Sequence, residues 1–496
     1  MALFSSWLQL GGSILVALTM VLFLGLLFWV LYAYWVDIHQ TKHTVRRNFP
    51  VIGRFRYAFE HLGEFFRQYF FAQDREEMPF NRAERSWVYR AAKKENTTVA
   101  FGSTRRLDVP GTILFVNSPF PSLNHDFYEP KPITFGESCR NPYTSSALIN
   151  ISGMSYGALS KPAVLALSRG AAKAGCWLNT GEGGLSPYHL EGGCDIVFQI
   201  GTAKYGVRNQ YGELDEQKLR EIANLPQVKM VEIKLSQGAK PGKGGILPAI
   251  KVTEEIAQIR GIQMGEDSIS PNGHEDIRSV DDLLDRLAQV RAVSGKPTGF
   301  KTVLGGIDWI EDLCRAIQVR GSESAPDFIA LDGAEGGTGA APQALMDYMG
   351  LPITQALPML VDCLERFKLR PRIKVIASGK LITPDRVAWA LCIGADMVVS
   401  ARGFMFALGC IQAMQCHKNT CPTGITTHDE RLQKGLVPSE KSERVAHFVK
   451  TMIEEVGVIA HSCGVDEPRK LRRDHARMVQ PNGEAKLLTE IYTQGS

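Results

Sequence analysis

The sequence predicts an α/β chain built on a (β/α)8 TIM barrel, with an N-terminal transmembrane helix and helical extensions. Three observations predict this fold. Between residues 147 and 410 short apolar runs alternate with amphipathic stretches of helical period, the pattern of a parallel sheet covered by helices. About eight such runs fall within roughly 260 residues, the usual span of a closed barrel. No Gly-x-Gly-x-x-Gly turn follows an early strand, which disfavours a doubly wound open sheet. The 496 residues are 44% apolar and 22% charged with a net charge of +4, which excludes a disordered chain and a nucleic-acid binder acting through bulk charge.

The first element is the membrane helix. Residues 1–36 contain no Asp, Glu, Lys, Arg or His, and Trp29, Tyr32, Tyr34 and Trp35 crowd their far end like an interfacial belt. A cleaved signal would have a shorter apolar run, a basic start and a small-x-small site. A buried helix rarely runs so long without a charge. Lys42, Arg46, Arg47, Arg54 and Arg56 follow against Asp37 alone, an excess equal to the net charge of the whole chain. The positive-inside bias then predicts a single-pass membrane protein with its catalytic domain in the cytoplasm. There the 10 Cys are expected to be thiols or metal ligands, not disulfides.

Residues 37–146 read as a lead-in. Over 57–95, Phe59, Leu62, Phe65, Phe66, Tyr69 and Phe70 recur at helical spacing, which predicts a packing helix that caps the main domain. Glu60, Glu64, Asp74, Glu76 and Glu77 speak against a membrane-surface helix. Residues 105–145, rich in Pro, Asn and Ser, predict an extended segment. The barrel domain follows over 147–430. Its strands are predicted at 148–151, 177–179, 196–200, 230–234, 299–303, 328–331, 374–377 and 397–399, with helices at 161–174, 215–222, 280–290 and 384–392 among them. A C-terminal extension, 431–496, carries a helix at 442–459 and a charged tail beyond Asp466.

The chemistry-bearing residues gather at the predicted strand ends, where barrel enzymes build their sites. Cys410, Cys416 and Cys421 form Cys-x5-Cys-x4-Cys before Pro422. Three buried structural thiols would be the plain alternative, but such clustering favours an iron–sulfur cluster. Zinc wants a fourth ligand, and His417 is strained in that role beside Cys416. Gly336 to Gly339 make either a plain turn or a phosphate cradle; Ser400 and Arg402 two strands later favour the cradle. Lys234, Gln237 and Lys240 sit on a Gly-rich loop, either as a solvated basic loop or as a trap for a carboxylate substrate. Lys301, inside an apolar strand, needs a partner, and a cation beside a flavin would stabilise its reduced anionic ring. Glu182 is a helix-capping acid or a proton donor.

Taken in order, these motifs resemble the FMN-binding synthase domain of glutamate synthases over about residues 152–427. The stretches that carry the resemblance start with Met154-Ser155-Tyr156-Gly157-Ala158-Leu159-Ser160 and Asn179-Thr180-Gly181-Glu182-Gly183-Gly184. They continue with Glu232-Ile233-Lys234, Gln237-Gly238-Ala239-Lys240-Pro241-Gly242-Lys243-Gly244-Gly245 and Ile269-Ser270-Pro271 leading to Asp276-Ile277. Gly336-Gly337-Thr338-Gly339-Ala340 and the run from Cys410 through Cys416-His417-Lys418-Asn419-Thr420-Cys421-Pro422 complete them.

The resemblance implies FMN over Met154, Ser155, Tyr156 and Gly157, with Gln199 and Lys301 near its ring, Gly336 and Gly337 in its cradle, and its phosphate near Gly379, Ala401 and Arg402. It implies a [3Fe–4S] cluster on Cys410, Cys416 and Cys421, and 2-oxoglutarate held by Lys234, Gln237, Lys240 and Glu182. The implied reaction is reduction of 2-iminoglutarate, made from 2-oxoglutarate and ammonia, to L-glutamate. The expected partners are a small 2-oxo acid, a ferredoxin-like or membrane electron donor, and the membrane itself.

Departures from the family are also visible. A glutaminase domain, an NADPH-binding unit and the length for a C-terminal β-helix are not found. The family's Arg after the third strand reads Lys204, its Asp-Gly-Gly at the seventh strand end reads Ser378-Gly379-Lys380, and its phosphate loop reads Ser400-Ala401-Arg402. Two other readings therefore stand beside the first. One is an FMN oxidoreductase of another 2-oxo or 2-amino acid. The other is a membrane-anchored flavin and iron–sulfur electron-transfer subunit.

Overall fold

A computed structural model describes residues 2–123 and 129–492, without the side chains of residues 2–10, Glu64, Phe65 and Gln68. Part of the predicted lead-in, residues 124–128, and the apolar Phe65 and acidic Glu64 assigned to its helix thus lie outside the described residues. The chain divides into two units, Met1–Ala83 and Glu84–Ser496.

All eight predicted strands form one closed parallel barrel: Ile149–Ile151, Leu178–Asn179, Ile196–Ile200, Val228–Lys234, Thr298–Val303, Phe328–Asp332, Lys374–Ser378 and Met397–Ser400. They neighbour one another in chain order, and the eighth closes on the first through Ser400 beside Ile151. Closure buries every residue of every barrel strand apart from the half-exposed Lys229 and Lys374, which is why the strands read as continuous apolar runs rather than alternating ones. The register sets Lys234 beside Lys301 and Asp332 beside Ser378, so polar residues at neighbouring strand ends share one layer.

The helices between strands begin and stop where local chemistry dictates. Helix Lys161–Ala174 starts at Ser160, whose hydroxyl accepts from the Ala163 amide, and ends at Gly175 in left-handed conformation. Helix Glu216–Ala223 begins one residue later than the sequence predicts, because Asp215 serves as its cap and accepts from the Gln217 and Lys218 amides. Helix Val280–Ser294 runs four residues further than predicted and stops at Gly295. The last long helix, Pro438–Ser462, packs on Lys161–Ala174, where Lys173 meets Ser442 at 3.0 Å and Glu443 at 2.6 Å.

Two parts of the lead-in take on structure that local pattern did not show. Strands Ile133–Phe135 and Tyr143–Ser145 form a hairpin whose Phe135 and Tyr143 rings pack on Trp177, with Phe135 also 5.9 Å from Phe328. These rings join the barrel's inner core at the N-terminal end of its strands. Strand Ile113–Phe115 pairs with Ala476–Val479 of the charged tail, which pairs in turn with Ala485–Leu487.

In the first unit the apolar helix runs Ala2–His39. The stretch Gly11–His39 contains an exposed 18-residue window of mean hydropathy 2.8, long and apolar enough to cross a membrane. It passes beyond the charge-free residues because Asp37 is fully buried by its partners. Arg46 donates to Oδ1 at 2.7 Å, and Arg54 Nε and the Val51 amide donate to Oδ2 at 2.8 and 3.0 Å. The single helix predicted over 57–95 is a correction. The structure has Gly53–Phe66, a wider turn Arg67–Phe71, a break containing Pro79, and then Arg82–Ala92. Proline has no amide to continue a helix, and the break separates two helices with different surroundings. From Glu84 on, the second of these helices belongs to the barrel unit, where Tyr89 donates to the Cys410 carbonyl at 2.6 Å and Trp87 to Glu455 at 3.0 Å.

Candidate active site at the barrel mouth

The fourth strand ends in Lys234, whose ammonium lies 3.0 Å from Glu182 Oε1, just beyond the second strand. The Glu182 carboxylate is wedged against backbone: a Cβ on Gly201 or Gly245 would come within 2.5 Å of its side chain. Burial alone would raise Glu182, but the charges of Lys234 and Lys240 outweigh it and hold the carboxyl below its usual range. Lys240 is pushed down to about 8, first by burial and then by the nearby Lys234. Gln237 ties the same loop across the mouth, its amide nitrogen 3.3 Å from the Gly337 carbonyl. Three of the sequence-predicted substrate residues, Glu182, Lys234 and Lys240, thus converge as two cations about one carboxylate, whereas Gln237 is turned to Gly337.

A polar layer lies under this cluster. Glu232 Oε1 accepts from Asn179 at 2.9 Å and from Gln199 at 2.6 Å. Lys301 reaches Ser152 Oγ at 3.4 Å and Asp332 Oδ2 at 3.7 Å, while that carboxylate also accepts from the Gly238 amide at 2.9 Å. The turn after the first strand rests on this layer, since a Cβ on Gly153 would stand 2.9 Å from both Asn179 and Gln199. Met154 and Ser155 are half-buried on that turn. Tyr156 points elsewhere: its hydroxyl donates to Glu255 at 2.6 Å, as does that of Tyr188 at 2.7 Å. The Gly157 carbonyl faces His428 Nε2 at 2.8 Å. Gln199, Lys301 and the Met154–Ser155 turn are therefore neighbours, with Tyr156 and Gly157 bracing the turn from outside.

Beyond the sixth, seventh and eighth strands the backbone closes into a cradle. A Cβ on Gly336 would meet Asp332 at 2.6 Å, and one on Gly337 would meet the Arg402 side chain at 2.6 Å. Gly379 has φ +133°, which a residue with a Cβ rarely adopts. The next residue, Lys380, is itself left-handed at φ +50°, a strained conformation of the kind stored at functional loops. Arg402, which follows Ala401, donates to the Glu335 carbonyl at 2.5 Å and is pushed down to about 10 by burial. Lys380 is also lowered, by burial and then by the Arg402 charge. Lys380 and Arg402 thus gather positive charge at the ends of the last two strands, with Glu335 and Glu84 also near them.

The three cysteines follow helix Arg402–Leu408. Cys410 is pushed up to about 12, mainly by burial and further by the neighbouring Cys416 and Cys421 thiols. Cys421 moves the other way, because hydroxyl and amide donors from Thr423 and Thr426 outweigh its burial, with Thr423 Oγ1 3.3 Å from its sulfur. His417 is exposed. Among the described residues no three His, Cys, Asp or Glu side chains stand in a metal-gripping arrangement.

Sequence reasoning missed two cations. Arg260 ends helix Glu254–Arg260 before Gly261, which reads as an ordinary helix stop. In the fold it is buried, 3.4 Å from Ser155 Oγ, 3.3 Å from the Tyr156 carbonyl and 3.0 Å from Ser268 Oγ, with Nε lacking a hydrogen-bond partner. Lys251 is buried as well and donates to the carbonyls of Ala158 at 3.0 Å and Cys416 at 3.2 Å, joining the first-strand turn to the cysteine segment. Lys251→Ala is expected to cost roughly 2–4 kcal/mol, read by chemical denaturation, through lost packing and two carbonyls left without their donor. Lys204, by contrast, is taken up by Asp276 at 3.2 Å and does not face the cluster.

The conserved region of glutamate synthase matches residues 116–466. The chain is 39% identical, over 88% of its length and 90% of the relative's, to a glutamate synthase large subunit-like protein, YerD, of Bacillus subtilis. It is 35% identical to an archaeal glutamate synthase (NADPH) of Methanocaldococcus jannaschii over 66% of this chain, and spans 61% of that relative's length. Among solved structures it is similar to a mutant flavocytochrome b2 with pyruvate bound, with TM-score 0.45 and 14% identity over 85% of both chains, a distance at which nothing about ligands follows. With the matched region taking in the whole barrel, its mouth and the three cysteines, the chain belongs to the glutamate synthase family and is an oxidoreductase of that type.

Proposed function

We propose that this protein is a membrane-anchored enzyme that forms L-glutamate from 2-oxoglutarate and ammonia, using FMN and a [3Fe–4S] cluster. The observation that carries the reading is the buried convergence of Lys234, Lys240 and Arg260 around Glu182 at the barrel mouth. Three cations against one carboxylate leave positive charge for a dicarboxylate, and an ordinary packing role would not gather them.

The lining suits FMN, and the cysteine segment supplies the ligand types for a cluster although its three thiols are not gathered around a common point. The paired cations Arg402 and Lys380, with the Gly379 backbone, suit a phosphate, and Ser155, Gln199 and Lys301 suit a flavin ring. Cys410, Cys416 and Cys421 supply the thiolate set of a three-ligand cluster, and the Thr423 hydroxyl beside Cys421 stabilises negative charge on sulfur. When bound, FMN supplies hydride chemistry and the cluster supplies one-electron transfer.

The chain's own residues then do the following. Lys234 and Arg260 bind the carboxylates of the acid, and Gln237 orients it while bracing the loop against Gly337. Ammonia adds to the 2-oxo carbon and water leaves, giving 2-iminoglutarate. Lys240, poised near pH 8, holds the proton that keeps the imine nitrogen cationic. Two electrons and two protons complete L-glutamate. Glu182, held ionised, favours the Lys240 cation rather than giving a proton itself. The electrons come from a ferredoxin-like or membrane donor. The exposed apolar helix ending at His39 supports a membrane anchor, and its basic flank supports a cytoplasmic catalytic domain.

The deciding experiment is anaerobic. Purified full-length protein is reduced with dithionite and mixed with ammonia and a set of 2-oxo acids while flavin absorbance is followed. Reoxidation by 2-oxoglutarate with ammonia supports the proposal; reoxidation only by a different acid names another substrate. No response to any acid leaves an electron-transfer subunit. Glu182→Gln is expected to move the alkaline limb of kcat/KM to lower pH, because the carboxylate that stabilises the Lys240 cation is gone.

A further inference from the structure

Helix Gly53–Phe66 and the wider turn Arg67–Phe71 expose a continuous apolar stripe. Phe55, Phe59, Leu62, Phe66 and Phe70 recur every three or four residues and are 59%, 67%, 43%, 44% and 71% exposed. Successive members stay on one side of the helix because three or four residues make about one turn. The opposite side carries Arg54, Glu60, His61 and Arg67. Large apolar side chains aligned like this mark an interaction surface, whereas scattered exposed ones do not.

The start of this helix is fixed within its own unit. Arg54, one residue into it, donates through Nε to the buried Asp37 at 2.8 Å and through Nη2 to the Ala33 carbonyl at 3.4 Å, and its guanidinium lies 5.9 Å from the Trp29 ring. Asp37 also takes Arg46 and the Val51 amide. The stripe therefore begins level with residues 29–37 of the apolar helix, where Trp29, Tyr32, Tyr34 and Trp35 form its aromatic end. A stripe that is mostly Phe suits the boundary between headgroups and acyl chains. Two of the acidic residues of this segment are kept from opposing an anionic surface at the stripe. Glu60 is paired with Arg56 at 3.0 Å, and Asp74, paired with Arg82, lies past the helix.

We propose that Gly53–Phe71 is an interfacial helix that embeds the Phe55–Phe59–Leu62–Phe66–Phe70 stripe in the bilayer the apolar helix crosses, with Asp37 as the clamp between the spanning and the surface helix. This rests on the membrane-anchor reading above, and the following test separates the two.

Benzoylphenylalanine is placed singly at positions 22, 59, 60 and 66 of the full-length protein, reconstituted in vesicles of phosphatidylethanolamine with a minority of phosphatidylglycerol. After illumination, adducts are identified by mass spectrometry. Phospholipid adducts at 22, 59 and 66 but not at 60 are expected. Lipid at 22 with adducts at 59 and 66 to peptides of residues 84–492, to a second copy, or to nothing overturns the interfacial helix and leaves the anchor standing. No lipid at 22 overturns the anchor and the interfacial helix together. In a second measurement the stripe is weakened with the anchor intact. Phe59→Ser with Phe66→Ser should raise hydrogen exchange over residues 53–71 at least several-fold in the same vesicles, with barrel exchange unchanged. An unchanged rate there overturns the proposal.

Discussion

Lys240→Met lowers kcat/KM for the 2-oxo acid by roughly a hundredfold or more, the rate equivalent of about 3 kcal/mol for losing one partner of a buried charge contact. Its pH dependence distinguishes it from a merely structural change. Lys240 titrates near 8 because it is buried beside Lys234. Below that pH it is a cation and attracts the dianionic acid; above it the amine is neutral and the attraction is lost. The free-enzyme profile of kcat/KM in the wild type should therefore fall about tenfold per unit above pH 8. Lys240→Arg keeps the charge, because a guanidinium does not deprotonate in this range, and should carry the plateau past pH 9 at reduced kcat. An alkaline limb that stays near 8 in both variants would remove Lys240 from the chemistry.

Cys416→Ser abolishes the iron–sulfur signal and the associated iron while FMN stays bound. In the proposed reading a thiolate is the ligand, and an alcohol at the same place does not replace it. Turnover driven by an external one-electron donor is expected to fall by on the order of a thousandfold, as for an enzyme cut off from its reductant. Reoxidation of dithionite-reduced flavin by 2-oxoglutarate and ammonia should change by only a few-fold, since the barrel mouth is untouched. The split between the two rates tests the cysteines as an electron entry path rather than as a packing feature. Unchanged iron content would exclude Cys416 from the ligand set. Lys251 ties the cysteine segment to the turn at the barrel mouth through the Ala158 and Cys416 carbonyls.

Much of the barrel and its mouth is legible in the amino-acid sequence. Each barrel strand is a short, largely apolar run, and burial on both faces makes such runs unmistakable in series. The strand ends carry Glu182, Lys234, Lys301 and Arg402, and the closed register necessarily brings such ends to one mouth. Boundaries are less legible where a single residue decides them, as with Asp215 capping a helix or Gly295 ending one.

The remainder depends on contacts far apart in sequence, which no local period records. Arg260 looks like any basic residue at a helix end until the chain folds it against Ser155, 105 residues earlier. Lys251 meets the Cys416 carbonyl 165 residues away. Strand Ile113–Phe115 has no partner until Ala476–Val479 arrives. The two helices predicted as one over 57–95 differ in surroundings rather than in pattern, and both are amphipathic. By itself the sequence determined the barrel, the charge-free helix and the residue types at the mouth, because each is written in local composition and periodicity. Only the tertiary structure decided which cations share a carboxylate, which aromatic stripe stays uncovered, and which buried charges find partners. Those outcomes follow from desolvation and distance in the folded chain, where a buried charge must find a partner.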